Sequence, residues 1–265
     1  MNDSPVPAVE VLSANKTYSN GTQALLPLDL RIEEGEFVTL LGPSGCGKST
    51  LLKMVAGLLD PTDGRLLLWR KPVQQLAEVG KKMSFVFQSP TLMPWATVEK
   101  NVRLPLDLAA IDAQMANEKV REVLALVGLS KFAKSLPRAL SGGMQMRVSI
   151  ARGLVTDPDL LLMDEPFGAL DAQTRTILQD ELVEICAGTG ATVLFITHDI
   201  AEAIILADRI GVMRAGPGSA IKDEFELELP RPRNRGSVEF AAIYDRIQRV
   251  LGEEVKKVVL REAEA

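Results

Sequence analysis

Eight residues carry the clearest chemistry in this sequence: Gly42-Pro43-Ser44-Gly45-Cys46-Gly47-Lys48-Ser49. Their glycines let the backbone turn tightly and aim its N–H groups at an anion. Lys48 can reach the outer phosphates of a nucleoside triphosphate, and the Ser49 hydroxyl can ligate Mg²⁺. Thr50 follows in the helix that the loop opens, whose N-terminus adds partial positive charge. By itself the spacing points to nucleotide phosphate and Mg²⁺, and it leaves kinase, GTPase and ATPase open. Cys46, inside the loop, reads first as a small filler. Its alternative role is a redox-sensitive thiol, since a helix N-terminus lowers a cysteine pKa.

Two more groups have chemical potential. Leu160-Leu161-Leu162-Met163-Asp164-Glu165 is a buried-strand run ending in two acids. That arrangement puts carboxylates at the carboxyl edge of a sheet, where open α/β folds bind ligands. Asp164 can hold Mg²⁺ there, and Glu165 can serve as general base for an attacking water. Pro166 then turns the chain out of strand geometry. In Leu140-Ser141-Gly142-Gly143-Met144-Gln145, Ser141 suits a helix N-cap. Val148, Ile150, Ala151, Leu154 and Val155 make a buried stripe behind it. A Ser-Gly-Gly helix start is a second anion site, and two phosphate sites for one nucleotide imply two subunits.

The elements that must position these residues alternate. The apolar run Phe37-Val38-Thr39-Leu40-Leu41 predicts a strand, and residues 49–56 a helix that Gly57 can end. Asp60-Pro61-Thr62-Asp63-Gly64 predicts a turn. Strands are expected again at 83–87, 160–163, 193–196 and 210–213. Residues 101–155 read as mostly helical, broken at Gly128 and Pro137. Strand–helix–strand order implies parallel pairing with helices on both faces of the sheet. Beyond about Ile221 the chain is expected to leave this core. Val238-to-Leu251 reads as one helix with Phe240, Ile243, Ile247 and Val250 apolar, and the charged residues after Gly252 as a frayed tail.

Composition excludes several classes. With 265 residues, 46% hydrophobic and 25% charged, the chain is an ordinary globular sequence. Its net charge of −5 offers no global electrostatic footprint, so no nucleic-acid partner is expected. Two cysteines make no disulfide framework, and His198 is the only histidine, which rules out a three-histidine zinc cage. The start, MNDSPVPAVEV, has neither a basic nor an apolar leader segment. No apolar run nears the roughly 18 residues of a membrane helix.

Over almost its whole length the sequence resembles the ATP-binding subunits of ABC transporters. The resemblance rests on residues 42–49, 140–145 and 160–165 in that order. It implies an α/β fold: a RecA-like P-loop nucleotide-binding core with an inserted helical subdomain. Expected boundaries are 1–88 and 159–230 for the core, 89–158 for the helical signature subdomain and 231–265 for a C-terminal helical tail. It also implies a head-to-tail homodimer in which Ser141, Gly142 and Gly143 of one chain meet the γ-phosphate held by the loop of the other. Tyr18 matches the aromatic that stacks on adenine, and Gln88 the glutamine that reaches Mg²⁺ and the attacking water. Ala169-Leu170-Asp171 matches the loop that crosses the dimer interface, and His198 the histidine set against the γ-phosphate. Met144 stands where the family commonly has Gln, with Gln145 next. ATP and Mg²⁺ are the implied cofactors.

Leu92-Met93-Pro94-Trp95 would be an exposed apolar surface, and the resemblance makes it the place where a permease docks. Together with Met144 and Leu229-Pro230-Arg231-Pro232-Arg233, it resembles the nitrate/sulfonate/taurine group of importers. That implies uptake of a small anionic nutrient, with a periplasmic solute-binding protein acting indirectly and the chain on the cytoplasmic face of the inner membrane. The alternatives are uptake of a pyrimidine-type precursor and a non-transport ABC ATPase.

Overall fold

In the computed structural model of the protein, residues 6–264 are described, with side chains of the last helix described as far as residue 261. The first five residues, where the leader reading begins, lie outside the described residues. In chain order the elements are β1 (Val9–Thr17), β2 (Gln23–Ile32), β3 (Phe37–Leu41), α1 (Lys48–Val55), β4 (Asp63–Leu68), β5 (Met83–Val86), α2 (Val98–Leu108) and α3 (Ala113–Leu126). They continue with α4 (Gly142–Leu154), β6 (Leu160–Asp164), α5 (Ala172–Thr189), β7 (Thr192–Ile196), α6 (Ile200–Leu206), β8 (Arg209–Met213), β9 (Ile221–Glu226) and α7 (Val238–Glu264). The chain forms two compact units, one from residues up to Lys81 together with those from Thr192 onward, the other Lys82–Ala191. Among the described residues no helix is long and apolar enough to cross a membrane.

In the first unit β3 lies between β7 and β8, parallel to both, with Leu40 opposite Ile196 on one side and Gly211 on the other. All five β3 residues are buried, Thr39 included. A strand enclosed on both faces has no use for polar alternation, which is why its sequence is an unbroken apolar run. β9 pairs antiparallel with β8. That corrects the expectation that the chain leaves the core at Ile221: β9 carries the sheet on by one more strand. A second sheet, β2-β1-β4, is wholly antiparallel. No strand is expected before Phe37 or between the turn at Gly64 and Met83, so β1, β2 and β4, the whole of this sheet, come only from the structure. Bulges between Val11 and Thr17 break the alternation of β1, and Ser13 sits at φ 45°.

α7 runs to Glu264, past the expected end at Leu251 and through residues expected to fray. Its buried positions are Phe240, Ile247 and Glu254, seven residues apart, one stripe on one face. The third is a carboxylate, and its acceptance into the stripe depends on two partners far away in sequence and one a turn along the same helix. Glu254 takes a hydrogen bond from Ala215 N–H (2.8 Å) and ion pairs from Lys222 (3.0 Å) and Lys257 (2.6 Å). Charge density alone therefore misjudged the tail.

The second unit pairs β5 and β6 in parallel, Val86 opposite Met163. α4 packs closely on β5. A Cβ at Gly153 would lie 2.7 Å from Val86 Cγ2, so only glycine permits this approach. The predicted stripe of α4 is buried throughout, Val148, Ile150, Ala151, Leu154 and Val155 alike.

Candidate functional site

Residues 42–50 leave β3 beside the end of β8, where Leu41 faces Val212. Gly45 and Gly47 adopt φ 74° and 94°, values that an L side chain resists, so the turn into α1 requires glycine at both. Gly47 is the N-cap of α1 and packs against β2, its missing Cβ only 2.6 Å from Leu25 Cδ2. Gly42 is packed as tightly from the other side, by Cys46 Sγ and Met213. The Lys48 ammonium is buried and folds over the loop, donating to the carbonyls of Gly42 (2.7 Å) and Pro43 (3.0 Å). A cation is thereby held at the loop's own rim, with Ser49 and Thr50 next in the first turn.

Cys46 is fully buried under this loop. Burial pushes its thiol pKa up, and the nearby Lys48 charge, 3.7 Å from Sγ, only partly offsets that. Burial and the raised pKa favour the filler reading over the low-pKa switch. The helix N-terminus does favour a thiolate, but desolvation of the sulfur outweighs it.

Two other candidates belong to the same unit. Tyr18 follows β1, its hydroxyl 3.1 Å from Thr50 Oγ1 in α1, and its ring is partly exposed. His198 is exposed two residues beyond β7, on the strand beside β3, and Thr197 N–H donates to Leu40 C=O at 3.3 Å. The loop and the histidine therefore leave neighbouring parallel strands at the same edge. Sequence reading missed the residues that fix this turn. Thr197 Oγ1 bonds the Glu202 carboxylate and accepts from Asp199 N–H (3.0 Å), while Asp199 caps α6 by accepting from Ala201 and Glu202 N–H. The signal was available: Asp followed three residues later by Glu ahead of an apolar run marks a helix start.

The second unit holds the rest. Gln88 and Glu165 each lie two residues past the facing pair Val86 and Met163, so the glutamine and the acid pair emerge at one edge of β5 and β6. Asp164 is 5% exposed. Glu165 has φ 45°, an unusual backbone for a residue with a side chain, immediately before Pro166. Arg152, buried enough that its pKa is lowered, donates to Pro90 C=O (3.1 Å) and Thr91 C=O (3.0 Å) and so braces the segment after Gln88.

Ser141 caps α4 as expected, its Oγ accepting from Met144 N–H at 3.3 Å. Gly142 is open on its Cβ side, whereas a Cβ at Gly143 would lie 3.3 Å from Ala169 C=O. That glycine lets the loop ending in Asp171 sit against the start of α4. Asp171 caps α5 by accepting from Thr174 N–H (2.9 Å), which holds its carboxyl below the usual range. Gln145 turns back, donating to Pro137 and Leu140 carbonyls, and thus stiffens the Ser-Gly-Gly loop from behind. The apolar segment is also held in place. Asn101 is fully buried and binds Met93, Ala96 and Thr97 carbonyls, leaving Trp95 78% exposed at a groove of about 870 Å³ between α2 and α3.

Residues 25–168 match the family model described as ABC transporter. An uncharacterised ABC transporter ATP-binding protein of Methanocaldococcus jannaschii is 48% identical over 90% of this chain and 88% of its own length. A bicarbonate transport ATP-binding protein of Synechococcus elongatus is 47% identical over 87% of this chain, a match that spans 35% of that longer protein. An aliphatic sulfonates import ATP-binding protein of Bacillus cereus is 43% identical over 90% of this chain and 94% of its own. Among solved structures, a dimeric ATP-binding cassette in a post-hydrolysis state with ADP and Pi aligns with TM-score 0.77 and 34% identity, over 84% of this chain and all of that one.

Proposed function

Since the chain belongs to the ABC transporter family of ATP-binding proteins, we propose that two copies pair head to tail and that ATP binding and hydrolysis between them drive uptake of a small anion through a partner permease. The chain is an ATPase coupled to transport, of importer type. The observation that carries the residue roles is the loop of residues 42–50, with its two left-handed glycines and the buried ammonium at its rim.

In this reading the loop's N–H groups and the start of α1 receive the phosphates, Lys48 neutralises their charge, and Tyr18 stacks on the base. Ser141, Gly142 and Gly143 of the partner subunit close on the γ-phosphate, and Asp171 with Ala169 and Leu170 lines the junction. Glu165 polarises the attacking water, and His198, held by the Thr197–Glu202 turn, orients toward the γ-phosphate. Ser49, Gln88 and Asp164 would hold Mg²⁺. Their donors are a hydroxyl, an amide oxygen and a carboxylate, the hard oxygens that this ion prefers. Magnesium, when bound, spreads phosphate charge.

Trp95 and its groove suit the docking of a permease helix. A small anionic solute, of sulfonate, nitrate or bicarbonate type, is supported by relatives named for such transport. The test is Glu165→Gln in the full chain: ATP should convert it to a stable dimer on gel filtration, with turnover abolished. Normal phosphate release by that variant would sink the assignment of the base. Loss of sulfonate, nitrate or bicarbonate uptake on deletion of the coding gene tests the solute, and unchanged uptake of all three refutes it.

A further inference from the structure

The segment between β8 and β9, residues 214–219, touches the phosphate loop. A Cβ at Gly216 would lie 2.6 Å from Gly45 C=O and 3.0 Å from Cys46 Cα, so the two backbones are in direct contact. Gly218 and Ser219 N–H donate to Gln23 and Ala24 carbonyls, and Ser219 Oγ closes the turn on Arg214 C=O at 2.7 Å. Ala24 and Leu25 in turn pack on Gly47. The loop is thus gripped between β2 and this turn.

α7 holds the outer side of the same turn at two adjacent residues. The Glu254 carboxylate accepts from Ala215 N–H at 2.8 Å, and Arg261 Nη1 donates to Gly216 C=O at 2.7 Å. Glu254 is 1% exposed and also fastened by Lys222 of β9 and by Lys257. A buried carboxylate is costly unless fully bonded, and one of its three bonds here comes from the residue before Gly216. We propose that α7 braces the phosphate loop, with Glu254 and Arg261 as positioning residues that set ATP affinity through Ala215 and Gly216. The proposal rests on residues 42–50 being the ATP site.

The test titrates the full-length chain with ATP and Mg²⁺ by calorimetry and follows phosphate release at saturation. Arg261→Ala and Glu254→Met should each weaken ATP binding about fivefold, the scale of one hydrogen bond, while phosphate release at saturating ATP stays at the wild-type rate. Gly216→Ala, which drives a methyl at the Gly45 carbonyl, should weaken binding at least as much. Glu254→Gln keeps an oxygen for Ala215 N–H and should bind as wild type, even though the lost charge lowers its thermal stability. Glu253→Gln, which removes an ion pair to Lys222 (2.6 Å) but no bond to the turn, should also bind as wild type. Wild-type ATP affinity in both Arg261→Ala and Gly216→Ala overturns the brace, and neither variant removes a buried side chain, so this holds even if Glu254→Met does not fold. Equal weakening by Glu254→Gln and Glu254→Met would likewise overturn it, by reducing Glu254 to a stability role. Lys48→Ala is the separate control: if it too binds ATP normally, the ATP site itself is misassigned.

Discussion

Replacing Ser141 separates a structural from a chemical role, because the hydroxyl is offered for both. Its Oγ accepts from Met144 N–H at 3.3 Å, longer than the usual 2.9–3.0 Å, so the cap falls at the weak end of the range. Ser141→Ala should cost about 0.5–1 kcal/mol, and Ser141→Gly only a few tenths. Even from a folding stability of about 5 kcal/mol, a loss of 1 kcal/mol leaves about one molecule in a thousand unfolded. Fold loss therefore cannot account for any measurable fall in activity. A hydrogen bond to phosphate is worth about 1.5–3 kcal/mol, roughly tenfold to 150-fold in rate. Ser141 is exposed and Gly142 is open on its Cβ side, so nothing within the chain blocks an approaching nucleotide. The expected result is a fall of at least about tenfold in phosphate release in both variants, with melting temperatures ordered wild type, Gly, Ala. Wild-type turnover by Ser141→Gly, or losses that follow melting temperature, would refute the contact with the γ-phosphate.

Three further outcomes are expected. Burial raises the Glu254 pKa, but hydrogen bonds from Lys257, Ala215 and Lys222 outweigh it and bring the group from 4.5 down to about 2. A depressed carboxylate stabilises the fold above its unfolded pKa, and that contribution is lost as pH falls. The shift corresponds to about 3 kcal/mol, lost between roughly pH 5 and pH 2. Urea unfolding of Glu254→Gln should show a flatter acid limb over that window, and an unchanged limb would contradict the assignment. Cys46, buried with a raised pKa, should react with thiol reagents at pH 7 more slowly than the half-buried Cys186. Mass spectrometry of the labelled protein reads the order, and prompt labelling of Cys46 would restore the switch. Trp95→Ala should leave ATP hydrolysis by the isolated chain unchanged and reduce co-purification with the permease at least about fivefold, since exposed aromatics dominate such contacts. Undiminished co-purification would move the docking surface elsewhere.

Much of the site was legible because its physics is local. A run of apolar residues ending in glycines, or in acids before proline, specifies a strand, its edge and what stands there. The phosphate loop, the Asp164-Glu165 pair and the Ser141 cap each need only their own neighbours in sequence. β1 is hard to read because bulges break the alternation that marks a strand, whereas in β2 the alternation Leu28-Asp29-Leu30-Arg31-Ile32 stands in the sequence. The fate of Cys46 was undecided because two local rules oppose each other there. A helix N-terminus lowers a thiol pKa and burial raises it, and only packing under Gly42 and beside Lys48 shows which dominates. The end of α7 is the plainest case. Its residues after Gly252 are charged, and charge in sequence means solvent unless a partner is present. The partners of Glu254 are the Ala215 N–H, 39 residues earlier, Lys222 on β9 and Lys257. A carboxylate becomes a core residue only when the fold brings donors to it, and no pattern along the chain records that meeting.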